Sequence, residues 1–173
     1  VGKLASENYL RLYSEQLSYV TLRMFNVYGP GQDLNNLQQG MVSIYLSQAL
    51  TSRNIEIRGK LERFRDFIYI EDVAEAWFQA TFSAEVLNRE LNVGTGSRTT
   101  VGTLIKHIEV ALPGTTHFIS DPTPGDQTGI YADSRLLKST LSIKEFVSID
   151  DGLKKFIKFL LWNEKVKIKN NSK

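Results

Sequence analysis

The stretch Arg63–Val73 reads RFRDFIYIEDV. Its middle, Asp66–Ile70, is β-prone and largely apolar, which predicts a short strand. Glu71 or Asp72 can then cap a helix running to about Phe82, with Val73, Trp77 and Ala80 facing inward. A strand that feeds directly into a helix is the unit of an α/β fold. The alternation repeats on both sides. Upstream, VGKLASENYLRLYSEQL predicts a helix with Ala5, Tyr9, Leu12 and Tyr13 on one face and Glu7 and Arg11 paired on its surface. Tyr19–Phe25 predicts a strand, NVYGPGQDLNN a loop, Gly40–Leu50 a helix with Met41, Ile44 and Tyr45 inward, and Asn54–Arg58 a strand. Downstream, Leu91–Val93 predicts a strand ending at Gly94-Thr95-Gly96. Thr99 or Thr100 caps a helix whose stripe is Val101, Leu104, Ile105, Ile108 and Leu112, closed by Pro113-Gly114. His117–Ser120 is a strand, DPTPGDQTG a loop, and Ser134 caps RLLKSTL. The last helix follows Ser148 or Asp150 and places Leu153, Phe156, Ile157, Leu160 and Leu161 on one side.

Composition narrows the function classes. The 173 residues are 42% hydrophobic and 23% charged, ordinary values for a globular domain large enough to bury a core without covalent staples. There is no Cys, which excludes disulfides, thiolate metal sites and Cys nucleophiles and fits the cytoplasm. Two His, His107 and His117, exclude a His-rich metal centre, and both read as structural. No apolar run approaches the roughly 18 residues of a membrane span. Charge is uneven. Residues 153–173 hold seven Lys and one acid, Glu164, whereas residues 1–152 hold 14 bases and 18 acids. The end of the chain, KVKIKNNSK, lacks the interleaved aromatics of a nucleic-acid surface and reads as a frayed, solvated tail over 163–173. A helix without an N-cap at residue 1 reads as part of a longer protein.

Three stretches carry chemistry: NVYGPGQ at 26–32, RFRDFIYIEDV at 63–73 and LNVGTGSRTT at 91–100. In this order they resemble the C-terminal half of the extended short-chain dehydrogenase/reductase family, most nearly its nucleotide-sugar epimerases and dehydratases of the UDP-glucose 4-epimerase type. The resemblance covers residues 1–162. It implies the last part of a doubly wound, Rossmann-like parallel sheet plus the substrate-binding lobe. It also implies NAD as cofactor, bound mainly by an N-terminal half, a nucleotide-diphosphate sugar as substrate, and a homodimer at full length.

Site residues follow from that likeness. The family carries Tyr-x-x-x-Lys on a helix, and Lys3 followed by Glu7 matches its Lys, as a catalytic and cofactor-binding cation. The matching Tyr falls two positions before Val1, and no Tyr in the chain has Lys four residues after it. A cation is needed because a free phenol, with a pKa of about 10, is otherwise a poor base near neutrality. Asn26, at a strand's C-terminal end, is implied to touch the sugar or diphosphate. Gln38 or Gln39 is implied to reach the diphosphate. Arg65, in the R-D-[FY]-I stretch, is implied to bind it as a charged fork. Arg58 falls near the base, and Asp126 in Pro124-Gly125-Asp126 near the ribose hydroxyls. The family's Arg in that last element is Thr123 here. Arg63 carries no implied role and reads as exposed. Gly94-Thr95-Gly96 lacks the third glycine of a dinucleotide loop and reads as a structural turn.

In the epimerase reading, the Tyr takes the 4-hydroxyl proton, a hydride passes to the nicotinamide, and the 4-keto sugar turns over before the hydride returns. The chain alone is then expected to be inactive. A 4,6-dehydratase of the same family is the near alternative, and a non-catalytic nucleotide- or RNA-binding relative the distant one.

Overall fold

The computed structural model describes residues 2–38, 40–122 and 124–171, with side chains through Asn163. The elements are α1 (Gly2–Leu12), β1 (Val20–Met24), β2 (Asn26–Tyr28), α2 (Met41–Thr51), β3 (Asn54–Arg58), β4 (Phe64–Arg65), β5 (Phe67–Tyr69), α3 (Ile70–Phe82), β6 (Arg89–Val93), β7 (Thr99–Thr100), α4 (Val101–Ala111), β8 (Thr116–Ser120), β9 (Gly129–Ile130), α5 (Arg135–Thr140) and α6 (Ile149–Asn171). The class is α/β with parallel pairing, as the sequence implies. β1 lies parallel to β6, β2 to β5 and β3 to β8. Parallel partners need long crossovers, which the helices supply. β4 is the centre of a small mixed sheet, antiparallel to β7 and parallel to β9.

The stretch RFRDFIYIEDV organises the interior. On β5 successive side chains point to opposite faces. Phe67 and Tyr69 enter one apolar cluster with Tyr28, Leu46, Ile55, Ile57, Leu104, Ile108 and Phe156. Ile68 enters the other, with Val73, Ala76, Leu91, Val93 and Leu137. Each large apolar side chain fully removed from water contributes roughly 1.5–3 kcal/mol. A three-residue strand thus divides the core in two, and the residues just before it, Arg63 to Asp66, emerge at its edge.

Local signals account for most helices. Thr100 Oγ1 accepts from Thr103 N at 3.0 Å and caps α4, whose whole expected stripe is buried. Ser148 Oγ accepts from Asp151 N at 3.1 Å at the start of α6, and Leu153, Phe156, Ile157 and Leu160 are buried as expected. Leu161 is half-exposed instead. α6 runs as helix to Asn171, past the boundary at 162 where the composition turns basic.

Other expectations need correction. Asn26–Tyr28 is a strand, not the start of a loop, because its backbone pairs with β5. Trp77 is exposed, and Ala76 takes the inward place with Val73 and Ala80. α3 lies close on the strands, where small side chains fit and an indole does not. α1 stops at Leu12 and buries none of its side chains, so the face of Tyr9, Leu12 and Tyr13 is open to solvent. Glu7 and Arg11 do not pair with each other. Glu7 binds Arg23, and Arg11 Nε binds Glu90 at 2.7 Å, so both charges tie α1 to the β1–β6 pair. Glu71 and Asp72 leave the start of α3 without a side-chain cap, and Asp72 Oδ2 accepts from Val147 N at 3.0 Å. Ser134 precedes α5 without a side-chain cap.

Among the described residues no helix is long and apolar enough to cross a membrane, and no group of acidic or His side chains is placed to hold a metal.

Candidate functional site

The site grows from the junction of β4 and β5. Asp66, between them, is fully buried. Its Oδ1 accepts from Thr95 N at 2.9 Å and Thr95 Oγ1 at 2.6 Å. Its Oδ2 accepts from Gly96 N at 2.9 Å and Ala132 N at 3.0 Å. A buried carboxylate is tolerated when its lone pairs are met in this way. Asp66 therefore fastens the turn after β6 and the segment after β9 to the β4–β5 edge. Ser97 N donates to Thr95 Oγ1 at 3.1 Å, so three successive amides of the GTGS turn are engaged within the protein. Gly94 is required here, since a Cβ would stand 2.7 Å from Asp66 Oδ2. This geometry agrees with reading that turn as structural, and it leaves no free amide nest for a phosphate there.

On the outer side of the same edge lies a cleft of about 400 Å³, lined by Gln38, Tyr45, Gln48, Glu56, Arg58 and Arg63 among others. Its floor is apolar, from α2, and its rim is charged. Gln48 Oε1 accepts from Glu56 N at 2.9 Å and fastens α2 to β3. Ser120 Oγ donates to Glu56 Oε1 at 2.7 Å, and with Arg58 at 3.4 Å holds the Glu56 carboxyl below the usual carboxylate range. Burial pushes the Tyr45 phenol up, with Arg63 opposing.

Arg63 and Arg65 converge on one carboxylate. Arg63 Nη1 donates to Asp126 Oδ2, its Nη2 to Arg58 O, and its Nε to Lys60 O at 3.1 Å. Arg65 Nη2 donates to Asp126 Oδ1 at 3.0 Å, and its Nη1 to Phe64 O at 2.8 Å and Gln127 O at 3.2 Å. The side chains of Arg63, Arg65 and Asp126 are 12%, 14% and 18% exposed, so water screens the group weakly. Burial, and then the neighbouring Arg63, push the Arg65 guanidinium below its ordinary value.

The structure thus brings Arg58, Arg65, Asp126 and Gln38 to one region, and Gln39 and Thr123 lie outside the described residues. Asn26 lies on the inner side. Its Nδ2 and its backbone N both donate to Asp66 O at 3.1 Å. Lys3 is exposed on α1 and does not line the cleft. Arg63 corrects the sequence reading: it is largely covered and central, not exposed. Its spacing from Arg65 was the available signal, since alternate residues of an extended segment share a face. Tyr45, inward-facing in the sequence pattern, also lines the cleft, and the sequence pattern gives Asp66 only a place at the start of a strand. What the arrangement offers is a half-enclosed apolar floor beside two fixed guanidiniums, suited to a flat ring carrying an anionic group.

The chain is similar to several known proteins. The chain is 32% identical over 161 residues to a dTDP-4-dehydro-6-deoxyglucose reductase of Escherichia coli, covering 91% of this chain and 50% of that protein. It is 31% identical over 162 residues to a UDP-glucose 4-epimerase of Mycolicibacterium smegmatis, covering 91% and 51%. The crystal structure of a UDP-glucose 4-epimerase from Thermotoga maritima, with UDP-glucose, superposes with a TM-score of 0.86 at 30% identity, over 93% of this chain and 52% of that one. The chain therefore spans about half the length of the relatives it matches. A model of the NAD dependent epimerase/dehydratase family matches residues 1–94, more than half of the chain, and the protein belongs to that family.

Proposed function

We propose that this chain is the nucleotide-sugar-binding part of an NAD-dependent nucleotide-sugar 4-epimerase of the UDP-glucose 4-epimerase type. The observation that carries the reading is the cleft lined by Arg58 and Arg63, with Arg65 and Asp126 joined to Arg63 beside it. In it the apolar floor and Arg58 would hold the base, and Arg65 the diphosphate. Gln38 or Gln39 would assist at the mouth, and Asp126 would meet the ribose once released from its arginines. Asn26 would orient the sugar from the first residue of β2, just past the C-terminal end of β1, held in place by Asp66 O.

NAD is the family's redox group, and in this reading it is held mainly outside this chain. The GTGS turn does not fit its pyrophosphate, because the amides of Thr95, Gly96 and Ser97 are engaged by Asp66 and Thr95. Lys3, exposed on α1, is the candidate for a cofactor contact and for lowering the pKa of a catalytic phenol. A homodimer at full length, in the cytoplasm, belongs to the same proposal. Its support is α1, which buries no side chain and exposes Leu4, Tyr9, Leu12 and Tyr13.

The test is calorimetric titration of UDP and dTDP into the chain, followed by product analysis with a longer chain carrying Tyr four positions before Lys3. Saturable binding of UDP and conversion of UDP-glucose to its 4-epimer are expected. No binding of either nucleotide would overturn the reading. The likeness to the Escherichia coli reductase favours one alternative, a reductase or dehydratase on dTDP-sugars. Preference for dTDP with a 4-keto-6-deoxy product or substrate would select it.

A further inference from the structure

Two largely covered guanidiniums and one carboxylate do not balance. Arg63 holds Asp126 Oδ2 and Arg65 holds Oδ1 at 3.0 Å, one oxygen each, which is how two cations share a bridging anion. One positive charge is left over in a place where exposure is under a fifth. Uncompensated charge away from water is costly, so the pair favours an anion of higher charge than one carboxylate supplies. Both forks have anchors independent of Asp126. Arg63 is fixed by Lys60 O and Arg58 O, and Arg65 by Phe64 O, its further bond to Gln127 O coming from the residue next to Asp126. The donors facing Asp126 would therefore keep their place if the carboxylate left, which is the condition for a preorganised anion seat.

We propose that Arg63 and Arg65 form a single two-arginine clamp for the diphosphate of the ligand, and that Asp126 is the internal anion that fills the clamp until the diphosphate displaces it. The clamp rests on the nucleotide reading above and adds two things to it. Arg63 becomes a binding residue, supplying the second cation that Thr123 cannot supply. Asp126 acts first as a competitor of the ligand and only afterwards as a partner of its ribose. A diphosphate has enough terminal oxygens to satisfy both forks at once, and it cancels the surplus charge.

The test uses the 173-residue chain and two probes, inorganic pyrophosphate and UDP, titrated calorimetrically into wild type, Arg63→Ala, Arg63→Lys, Arg65→Ala and Asp126→Asn. Each Arg→Ala change should weaken both probes roughly tenfold or more, the range for a hydrogen bond to a charged group. Arg63→Lys should recover part of that loss, which a purely structural role would not predict. Asp126→Asn should bind pyrophosphate several-fold more tightly, because its competitor is neutralised. Wild-type affinity in Arg63→Ala beside a loss in Arg65→Ala would overturn the clamp and leave the nucleotide reading standing. Unchanged or weaker pyrophosphate binding in Asp126→Asn would overturn the displaced-anion role. Pyrophosphate binding without any UDP preference would keep the clamp and refute the nucleotide reading. Should Arg63→Ala fail to fold, Arg63→Lys and Asp126→Asn decide the matter, since both keep polar groups of similar size.

Discussion

Replacing Asp66 with Asn should damage the fold far more than its isosteric shape implies. Four donors meet this carboxylate: the amides of Thr95, Gly96 and Ala132 and the Thr95 hydroxyl, at 2.6–3.0 Å. An Asn side chain keeps one acceptor oxygen and turns the other position into an NH2 group. In one orientation that group faces Gly96 N and Ala132 N, and in the other Thr95 N and the Thr95 hydroxyl, which can turn and accept, so at least one hydrogen bond is lost with donor meeting donor and the others pass from a charged to a neutral acceptor. A hydrogen bond to a charged group is worth about 1.5–3 kcal/mol, so with the others weakened the loss is roughly 3–6 kcal/mol. A domain of this kind has roughly 5–15 kcal/mol in total, so Asp66→Asn should be marginal at room temperature. The assay is urea denaturation followed by circular dichroism, with amide exchange at Thr95, Gly96 and Ala132 as the local readout. The midpoint should fall steeply and those three amides should lose protection together. A variant within about 1 kcal/mol of wild type, or one whose loss is spread evenly over other amides, would refute the idea that one carboxylate closes these three segments.

Four further outcomes follow from particular contacts. Tyr28 Oη is buried without a partner among the described residues, so Tyr28→Phe should be neutral or stabilising by about 1 kcal/mol, read from a thermal melt. Gly152→Ala should cost about 1–3 kcal/mol, because its Cβ would run into Tyr28 Oη, and Tyr28→Phe should relieve part of that loss in the double variant. α1 is held through Glu7–Arg23 and Glu90–Arg11, which keep both glutamates below the ordinary value of 4.5, so their stabilisation is present at neutral pH and lost as pH falls through the lowered values. Exchange of α1 amides should therefore accelerate in acid and in high salt before the core melts, and exchange rates indifferent to both would count against ionic docking. Arg98 stands over the rings of Phe64 and Tyr131 at 5.2 and 4.3 Å, and Arg98→Ala should cost about 0.5–1 kcal/mol in a urea titration.

The helix stripes were legible because they depend on local periodicity. The series Val101, Leu104, Ile105, Ile108, Leu112 is buried throughout, and Thr100 caps it. Trp77 was misread because periodicity fixes a face only to within one position, and strand proximity chose Ala76. β2 was misread because Gly29 and Pro30 signal a turn, whereas pairing with β5 depends on residues 40 positions away. The site shows the same division. Arg65, Asp126 and Gln38 came from motif likeness and fall in one region. Asp66 and Arg63 did not, since their roles lie in contacts with Thr95, Ala132 and Asp126 that no local pattern encodes.

The strand pairing also fixes how this chain must reach its native state. Val20 meets Arg89, Asn54 meets Thr116, and Asn26 meets Phe67, so each parallel ladder closes a long loop. Loop closure has to precede the reward of those contacts, which makes such topologies slow to fold. Helices α2, α4 and α6 can form on local signals alone, but they bury their stripes against β2, β3, β5 and each other. During that wait the strands Val20–Met24 and Asn54–Arg58 have unpaired edges and apolar side chains in water. Refolding yield should therefore fall with protein concentration well before equilibrium stability is at risk, a kinetic liability set by connectivity and not by any weak contact in the finished fold.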